Sequence, residues 1–240
     1  MAKYAVFSDL HLGDGGRHDL FGRKDYAVMR EWMKLLAKGY TILLNGDIFE
    51  FWKCSEFRVR RAHPVLYDLI RKTPEIILLV GNHDYDLMGN FTYFFSLADG
   101  RRVLVSHGFQ NDRWMVGPFM RAFVLFAGWL ERFLGIRLEK VFSHIYSEKF
   151  DKNVEKNTYE YAQRMFQKFD IVICGHTHIQ ERLDKNGKTY LNSGHGLGRR
   201  LQYIKIHTRK NKIQLVNKKL KMPKPASADG AMRRGAPPVG

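Results

Sequence analysis

Five short segments of this chain carry metal-binding side chains, and each directly follows an apolar run. Short apolar runs bounded by turn residues are typical of buried strands, so the fold must bring several strand ends together if these side chains act jointly. Their carboxylate, amide and imidazole donors are enough to hold two divalent ions. The segments are Asp9-Leu10-His11, Gly46-Asp47, Gly81-Asn82-His83-Asp84, His107-Gly108 and Gly175-His176-Thr177-His178.

The first third of the chain alternates between predicted strands and predicted helices. Strands are predicted at 3–8, 41–44 and 76–80, with helices at 25–38 and 62–71 between them. Such alternation favours parallel strand pairing. Open α/β sheets place their sites at the carboxyl ends of the strands, and the candidate ligands all follow strand ends.

After residue 90 the pattern changes to hairpins. Asp99-Gly100 and Asn186-Gly187 separate apolar runs, and such dipeptides are strong hairpin signals. We therefore interpret the later half of the chain as antiparallel β-structure. The predicted strands are 91–97, 102–106, 171–173, 178–184, 188–192, 201–207 and 212–217.

The mixture of donors indicates which metals fit. Imidazole, carboxylate and carbonyl oxygen suit manganese, zinc, iron or magnesium better than a metal selected by thiolates, and Cys54 and Cys174 lack the spacing of a thiolate site. Single segments of this kind are often ordinary turns or caps, whereas all five in this order predict a metal centre. The candidate ligands are Asp9, His11, Asp47, Asn82, His107, His176 and His178.

Lysine and arginine number 40 against 24 acidic residues, a net charge of +16 over 240 residues. This excess predicts anionic partners, namely nucleic acid, phosphorylated substrates or an anionic membrane surface. Two cysteines and no leader ahead of the first strand favour the cytoplasm. The length suits one domain, placed at 1–221, and the basic tail at 222–240 is predicted to be disordered.

Residues 109–168 form an insertion of different composition that is predicted to be helical. Residues 122–127 contain no polar side chain, which is too apolar for a helix with one solvated face. The insertion is predicted to be a lid in which Trp114 and Phe123 line a channel for acyl chains. The alternatives are a helical hairpin packed on the core and an interface with another chain.

The order of the five segments resembles that of the calcineurin-like metallophosphoesterases, whose motifs are DxH, GD, GNH(D/E), H and GHxH. The match covers residues 4 to about 192, and every motif is present. The resemblance implies an α/β fold, a four-layer αββα sandwich of two mixed β-sheets flanked by helices. It implies two divalent ions, expected to be manganese. One would be held by Asp9, His11, Asp47 and His178, and the other by Asp47, Asn82, His107 and His176.

By the same resemblance, His83 would stabilise charge on the phosphoryl group or protonate the leaving oxygen. Glu50 would orient His83. Paired ions lower the pKa of a shared water and clamp the oxygens of an in-line displacement. The expected reaction is therefore attack of a metal-bridging hydroxide on a phosphoester.

The stretch Asn45–Trp52 resembles the GD(L/I)FE-W motif of the UDP-2,3-diacylglucosamine pyrophosphatases of lipid A synthesis. That implies a nucleotide-diphospho-lipid substrate, cleaved to a lipid monophosphate and UMP by a peripheral protein at the inner face of the membrane. Arg199 and Arg200 would bind a second phosphate. The chain departs from these enzymes at two places, with His83 where they have the arginine of GNRD and Phe109 where they have the aspartate of HGD.

Two other functions stay open. A soluble phosphodiesterase or nuclease would use the positive charge to bind nucleotides or nucleic acid. A non-catalytic scaffold would bind an anionic membrane, although such scaffolds usually lose ligands that this chain keeps.

Overall fold

The computed structural model describes residues 2–112 apart from 17, 18, 23 and 88, the isolated positions 122, 126 and 129, and residues 138–220, of which 138–151 are described as backbone only. Trp114, Phe123 and the tail at 222–240 lie outside the described residues. The described helices are α1 (Asp25–Leu36), α2 (Glu56–Ala62), α3 (Pro64–Lys72) and α4 (Leu138–Met165), with short 3-10 turns at Phe109–Asn111 and Thr208–Lys210.

Ten strands are found within the described part of the chain. They are β1 (Lys3–Phe7), β2 (Tyr40–Asn45), β3 (Ile76–Leu79), β4 (Thr92–Ser96), β5 (Arg102–Ser106), β6 (Ile171–Cys174), β7 (Glu181–Lys185), β8 (Lys188–Asn192), β9 (Arg200–His207) and β10 (Lys212–Lys219). They form two five-stranded mixed sheets, of order β10-β9-β1-β2-β3 and β4-β5-β6-β8-β7.

Each sheet has three adjacent parallel strands, which lie on one side of the first sheet and at the centre of the second. β1 pairs with β2 and β2 with β3 in parallel, as the alternating pattern predicted. In the second sheet β6 pairs in parallel with both β5 and β8, so the prediction that the later half is antiparallel was wrong at its centre. Turn dipeptides report only on strands adjacent in sequence, and β5 and β6 are joined across α4.

The two sheets pack face to face, and helices cover both outer faces. Between the sheets lies a buried cluster that includes Val6 and Leu43 from the first sheet and Val105 and Ile173 from the second. α1, α2 and α3 cover the first sheet, and α4 covers the second. The predicted four-layer αββα sandwich is confirmed.

The predicted and observed helices differ in two places. The helix predicted at 62–71 is α3, which begins at Pro64, a position that favours proline, whereas α2, which ends at Ala62, was not predicted. In the insertion predicted to be helical at 109–168, the helix that the structure describes is α4, which begins at Leu138 and ends at Met165. Within the described part of the chain, none of the helices has the length and apolarity needed to span a bilayer.

His63 joins the loop before α1 to the corner between α2 and α3. The imidazole is 2% exposed, with Nδ1 2.8 Å from an Asp25 carboxylate oxygen and Nε2 3.1 Å from Asp19 Oδ2. Burial acts to lower its pKa, but the two carboxylates outweigh burial and raise the pKa from 6.5 to about 9. The folded state is therefore stabilised by the imidazolium form of His63.

We expect His63→Gln to lower the free energy of unfolding most near pH 6 and least near pH 10. A raised pKa contributes stability that is complete below 6.5 and is lost as the pH rises through about 9. Urea unfolding at three pH values measures the difference from wild type. As a control, Asp68→Asn breaks an exposed ion pair with Lys72 and should cost less than about 1 kcal/mol at each pH. A His63→Gln difference that does not change with pH would contradict the account.

Candidate metal centre

The loops that carry the candidate ligands meet at one edge of the sandwich. Asp9, Asp47 and Asn82 follow the parallel strands β1, β2 and β3, whose carboxyl ends share an edge. His107 and His176 follow β5 and β6, which are parallel in the second sheet.

Backbone hydrogen bonds tie neighbouring loops to each other. The Asp9 amide donates to the Gly46 carbonyl at 3.1 Å, and the Gly175 amide donates to the His107 carbonyl at 3.0 Å. A further bond joins the two sheets, because the Gly196 amide donates to the Asp9 carbonyl at 3.1 Å. The loops that carry the candidate ligands are therefore held in place by backbone hydrogen bonds to neighbouring loops.

Five candidate ligands adopt the left-handed backbone conformation, which residues other than glycine seldom do. Such strain is characteristic of functional sites, where the surrounding structure imposes it. Their φ values are 53° for Asp9, 50° for His11, 53° for Asp47, 70° for His176 and 58° for His178.

Two glycines are required by the close approach of these loops. A Cβ on Gly46, which has a φ of 79°, would lie 2.6 Å from the His107 ring. A Cβ on Gly175 would lie 2.6 Å from Ser8 Oγ and 2.7 Å from Asp9 Oδ2. No real Cβ tolerates such distances, so these positions accept only glycine without movement of the ligand loops.

One group of converging ligand atoms comes from Asp9, His11 and His178, all within 4.8 Å of one another. His178 Nε2 lies 3.2 Å from Asp9 Oδ1. It also lies 3.1 Å from His11 Nε2. Two imidazole nitrogens and a carboxylate oxygen directed at one point are the donor set of a divalent ion.

A second group comes from Asp47, His107 and His176, again within 4.8 Å. His107 Nε2 lies 3.2 Å from Asp47 Oδ2 and 4.0 Å from Asp9 Oδ1, so the two groups adjoin. Asp47 also falls within 4.8 Å of ligand atoms of His11 and His83. Its carboxylate therefore lies between the two groups, where a bridging ligand would have to be.

Asn82 is a further candidate oxygen donor in the loop after β3. Its side chain is 1% exposed, and neither Oδ1 nor Nδ2 has a hydrogen-bond partner among the described residues. His107 Nε2 is likewise buried without a hydrogen bond. Buried polar atoms without partners are rare in folded proteins and need an explanation. A metal ion that these donors coordinate would supply it, so the residues present fit a dinuclear centre.

In three histidines of the centre, one ring nitrogen contacts an acceptor outside the two ligand groups, and that acceptor does not contact the other nitrogen. His11 Nδ1 lies 3.2 Å from Glu50 Oε2, and His107 Nδ1 donates to the Asn45 carbonyl at 2.7 Å. His176 Nε2 lies 2.9 Å from Asp112 Oδ2. An outer acceptor fixes the tautomer and the ring orientation of a metal-binding histidine. The remaining nitrogen of each ring is thereby left as a ligand.

The electrostatics of the centre follow from burying two carboxylates together. Burial acts to raise the pKa of Asp9 and of Asp47, but nearby imidazoles, His107 first among them, outweigh burial. The pKa of Asp9 falls to about 2, and that of Asp47 falls well below its usual range. Conversely, the carboxylates raise the pKa of His107 to about 10 against the effect of burial. Buried anions require a cation beside them, and a divalent ion meets the same need.

His83 is held at the mouth of the centre by two neighbours. Its Nδ1 lies 2.8 Å from Glu50 Oε1, and the indole of Trp52 stacks on the ring at a centroid distance of 3.8 Å. Its Nε2 lies 3.9 Å from Asp47 Oδ2. Burial acts to lower the pKa of His83, but Glu50 and Asp47 outweigh burial and raise the pKa. Glu50 thus holds His83 and His11 at once, with one oxygen for each.

Asp84 fixes the Gly-Asp loop to the Gly-Asn-His-Asp loop. Its fully buried carboxylate accepts the amide of Gly81 at 2.7 Å and the amides of Ile48 and Phe49 at 2.8 and 3.3 Å. Burial and the charge of Asp47 raise the pKa of Asp84 to about 6. Asp84 therefore caps backbone amides next to the centre.

The substrate-binding roles of Trp114, Phe123, Arg199 and Arg200 stay predictions, and the first two lie outside the described residues. Arg199 precedes β9 and Arg200 is its first residue, and both are exposed. Sequence reasoning also missed the contact of Asp112 with His176. The only sequence signal for this contact was that Asp112 is an acidic residue in the segment after His107, where the chain departs from the HGD motif.

Comparison with known protein families gives the class of protein to which this chain belongs. A family model described as calcineurin-like phosphoesterase matches residues 2–180. The chain belongs to this family and is a metal-dependent phosphoesterase. The predicted enzyme class is confirmed at this level. No curated protein sequence in the comparison matches the chain.

Solved structures with low sequence identity are similar to this chain, and the one with a TM-score above 0.5 shares its fold. A hypothetical protein from Pyrococcus horikoshii is 8% identical, with a TM-score of 0.51 over 92% of this chain and 89% of that chain. Vps29 from Entamoeba histolytica complexed with zinc is 16% identical, with a TM-score of 0.44 over 90% and 98%. An archaeal phosphodiesterase is 13% identical, with a TM-score of 0.44 over 90% and 99%.

Gly46→Ala and Gly39→Ala form a matched test of the loop geometry. Both glycines have positive φ, 79° and 72°, but a Cβ on Gly39 meets no atom within 4 Å. We expect Gly39→Ala to cost about 1–2 kcal/mol of unfolding free energy from backbone strain alone. Gly46→Ala should cost about 1–3 kcal/mol more, because its Cβ overlaps the His107 ring. Urea unfolding in excess chelator measures both, and equal costs would contradict the close approach.

Proposed function

We propose that this chain hydrolyses the phosphoanhydride of a nucleotide-diphospho-lipid, such as UDP-2,3-diacylglucosamine, to a lipid monophosphate and UMP. The observation that carries the proposal is an apolar surface beside the metal centre. Tyr85, Phe91 and Phe109 pack together there as an aromatic rim, with ring centroids 5.7 to 6.4 Å apart. The Phe109 ring lies 5.9 Å from that of His107.

The aromatic rim suits a substrate that is part anion and part hydrocarbon. Tyr85 is 47% exposed and Phe91 is 43% exposed, so both present apolar area to solvent. An exposed apolar patch beside a polar site is typical of a ligand-binding surface. The strongly apolar residues 122–127 follow the rim in sequence. A diphosphate would lie at the metal centre while its acyl chains extend over the rim.

In the proposed centre, Asp47 would be shared by two ions, which we expect to be manganese. Asp9, His11 and His178 complete the first ligand set, and Asn82, His107 and His176 complete the second. Bound there, two divalent ions would neutralise phosphoryl oxygens and activate a water for attack. Asp84 and Glu50 contribute by holding the ligand loops and rings in place.

His83 is proposed to act on the leaving oxygen or on the charge that develops at phosphorus. Its Nδ1 is engaged by Glu50, so Nε2 is the atom directed into the centre. The Trp52 indole covers one face of the ring and restricts its rotation. A proton held at Nε2 is then available to the departing phosphate oxygen.

A phosphodiesterase acting on nucleotides or nucleic acid is the second candidate. The observation that favours it is His83 itself, which stands where the lipid-specific enzymes have arginine. The net charge of +16 also suits a polyanionic substrate. A non-catalytic scaffold is disfavoured because the ligand set is complete. For a lipid substrate, we place the protein at the cytoplasmic face of an anionic membrane, where basic side chains add affinity.

We expect His83→Ala to keep both ions and to lower kcat about 10²–10³-fold. Metal content and turnover should be measured on the same manganese-loaded preparation. His207→Ala, which removes a histidine from β9 away from the centre, is the control and should leave turnover near wild type. Normal turnover of His83→Ala would refute its role, and loss of an ion would make His83 a ligand instead.

A manganese-supplemented hydrolysis panel tests the substrate class. It should compare UDP-2,3-diacylglucosamine, UDP-N-acetylglucosamine, bis-p-nitrophenyl phosphate, a cyclic nucleotide and single-stranded DNA. We expect UDP-2,3-diacylglucosamine to exceed UDP-N-acetylglucosamine, which lacks long acyl chains, in kcat/KM by roughly a hundredfold, because each buried methylene contributes about 0.8 kcal/mol. Equal values, or faster cleavage of the cyclic nucleotide or DNA, would favour the second candidate.

Paired variants in the panel test the aromatic rim. Phe91→Ala should raise KM for the acylated substrate and leave bis-p-nitrophenyl phosphate cleavage unchanged. Phe94→Ala removes a 71% exposed phenylalanine from β4 outside the rim and should change neither. An equal effect of the two variants would argue against the rim as the acyl surface.

A further inference from the structure

A chain of hydrogen bonds links the second ligand group to α4. It begins at His176, whose Nε2 lies 2.9 Å from Asp112 Oδ2. Both side chains are buried, at 7% and 1% exposure. Because Nε2 faces Asp112, only Nδ1 of His176 can reach an ion shared with Asp47 and His107.

The other oxygen of Asp112 is held by α4. Asn157, on that helix, donates from Nδ2 to Asp112 Oδ1 at 2.5 Å. The Asn157 carbonyl in turn accepts from Asn111 Nδ2 at 2.9 Å. Arg164, one of the last residues of α4, donates to Asn111 Oδ1. α4 therefore holds the segment 109–112 through both Asn157 and Arg164, which restricts the position of Asp112.

Asp112 accepts one hydrogen bond on each carboxylate oxygen. An asparagine in its place offers only one acceptor and directs an NH₂ group at one of the two donors. The arrangement is therefore specific for a carboxylate. No comparable link to α4 is found among the described contacts of Asp9, His11 and His178.

We propose that Asp112 is a positioning residue for His176, and that α4, acting through Asn157, sets the affinity of the second ion site without affecting the first. The inference rests on the proposed two-ion centre. Partners of metal-binding histidines outside the ligand set typically change metal affinity by about 10–100-fold when removed. Here the outer partner is itself fixed by a residue 45 positions further along the chain.

The test is a titration of the full-length protein with Mn²⁺, followed by calorimetry and metal analysis. Wild type should show two sites. Asp112→Asn and Asn157→Ala should each weaken one site about 10–100-fold and leave the other unchanged. Thr158→Val is the matched control on the same helix. Its side chain is fully buried and its hydroxyl has no hydrogen-bond partner in the described part of the chain, so both sites should stay as in wild type.

A second readout separates positioning from general loss of structure. Cobalt-loaded Asn157→Ala should show an altered visible spectrum for one of its two ions, while the metal-free variant keeps a cooperative thermal transition. If Asp112→Asn fails to fold, Asn157→Ala decides alone. Two unchanged sites in Asn157→Ala, or equal weakening of both, would overturn the inference. Fewer than two sites in wild type would instead refute the proposed function.

Discussion

The burial of Asp9 and Asp47 side by side is the constraint on which the rest of the centre depends. Both carboxylates are almost inaccessible to solvent, and each would be strongly destabilised there without a cation. Burial and, after it, the charge of Asp47 raise the pKa of Asp84, so a further acidic group is disfavoured there. Without ions, His107 and His178 supply the opposing charge. The histidines of the centre therefore make sense both as counter-charges and as ligands for ions that replace their protons.

This constraint extends to the backbone. Left-handed conformations at five ligands cost about 1–2 kcal/mol each, and the sandwich offsets that cost through hydrogen bonds between loops. The Ser8 hydroxyl reaches Ser193 at 2.7 Å, and Asn45 Nδ2 donates to the Ser106 carbonyl at 3.1 Å, so side chains also join the two sheets at this edge. The three adjacent parallel strands of each sheet bring the loops together in the first place. The fold and the metal centre therefore depend on each other, because the residues with a strained backbone are the candidate metal ligands.

The sequence predicted the parts of this arrangement that have local signals. The strands, the two hairpins and the ligand segments are each encoded within about ten neighbouring residues, and the αββα architecture followed from the family resemblance. The parallel pairing of β6 was missed, because turn residues and periodicity do not report pairing across a long connection. The short helix α2, of seven residues, was also not predicted. Contacts such as Asp112 with His176, 64 positions apart, have no local pattern at all. The substrate-binding roles of Trp114, Phe123, Arg199 and Arg200 stay predictions, since the first two residues are outside the described part of the chain and no bound substrate is present to test the other two.

The most direct test of the central claim is electron paramagnetic resonance of the protein loaded with two equivalents of Mn²⁺. Two ions that share Asp47 would lie about 3.5–4 Å apart, close enough for magnetic exchange. The account predicts the broad multiline spectrum of a coupled pair, and Asp47→Asn should abolish it. A six-line spectrum of isolated Mn²⁺ at full occupancy would show that the ligands do not form one centre, and would contradict the account.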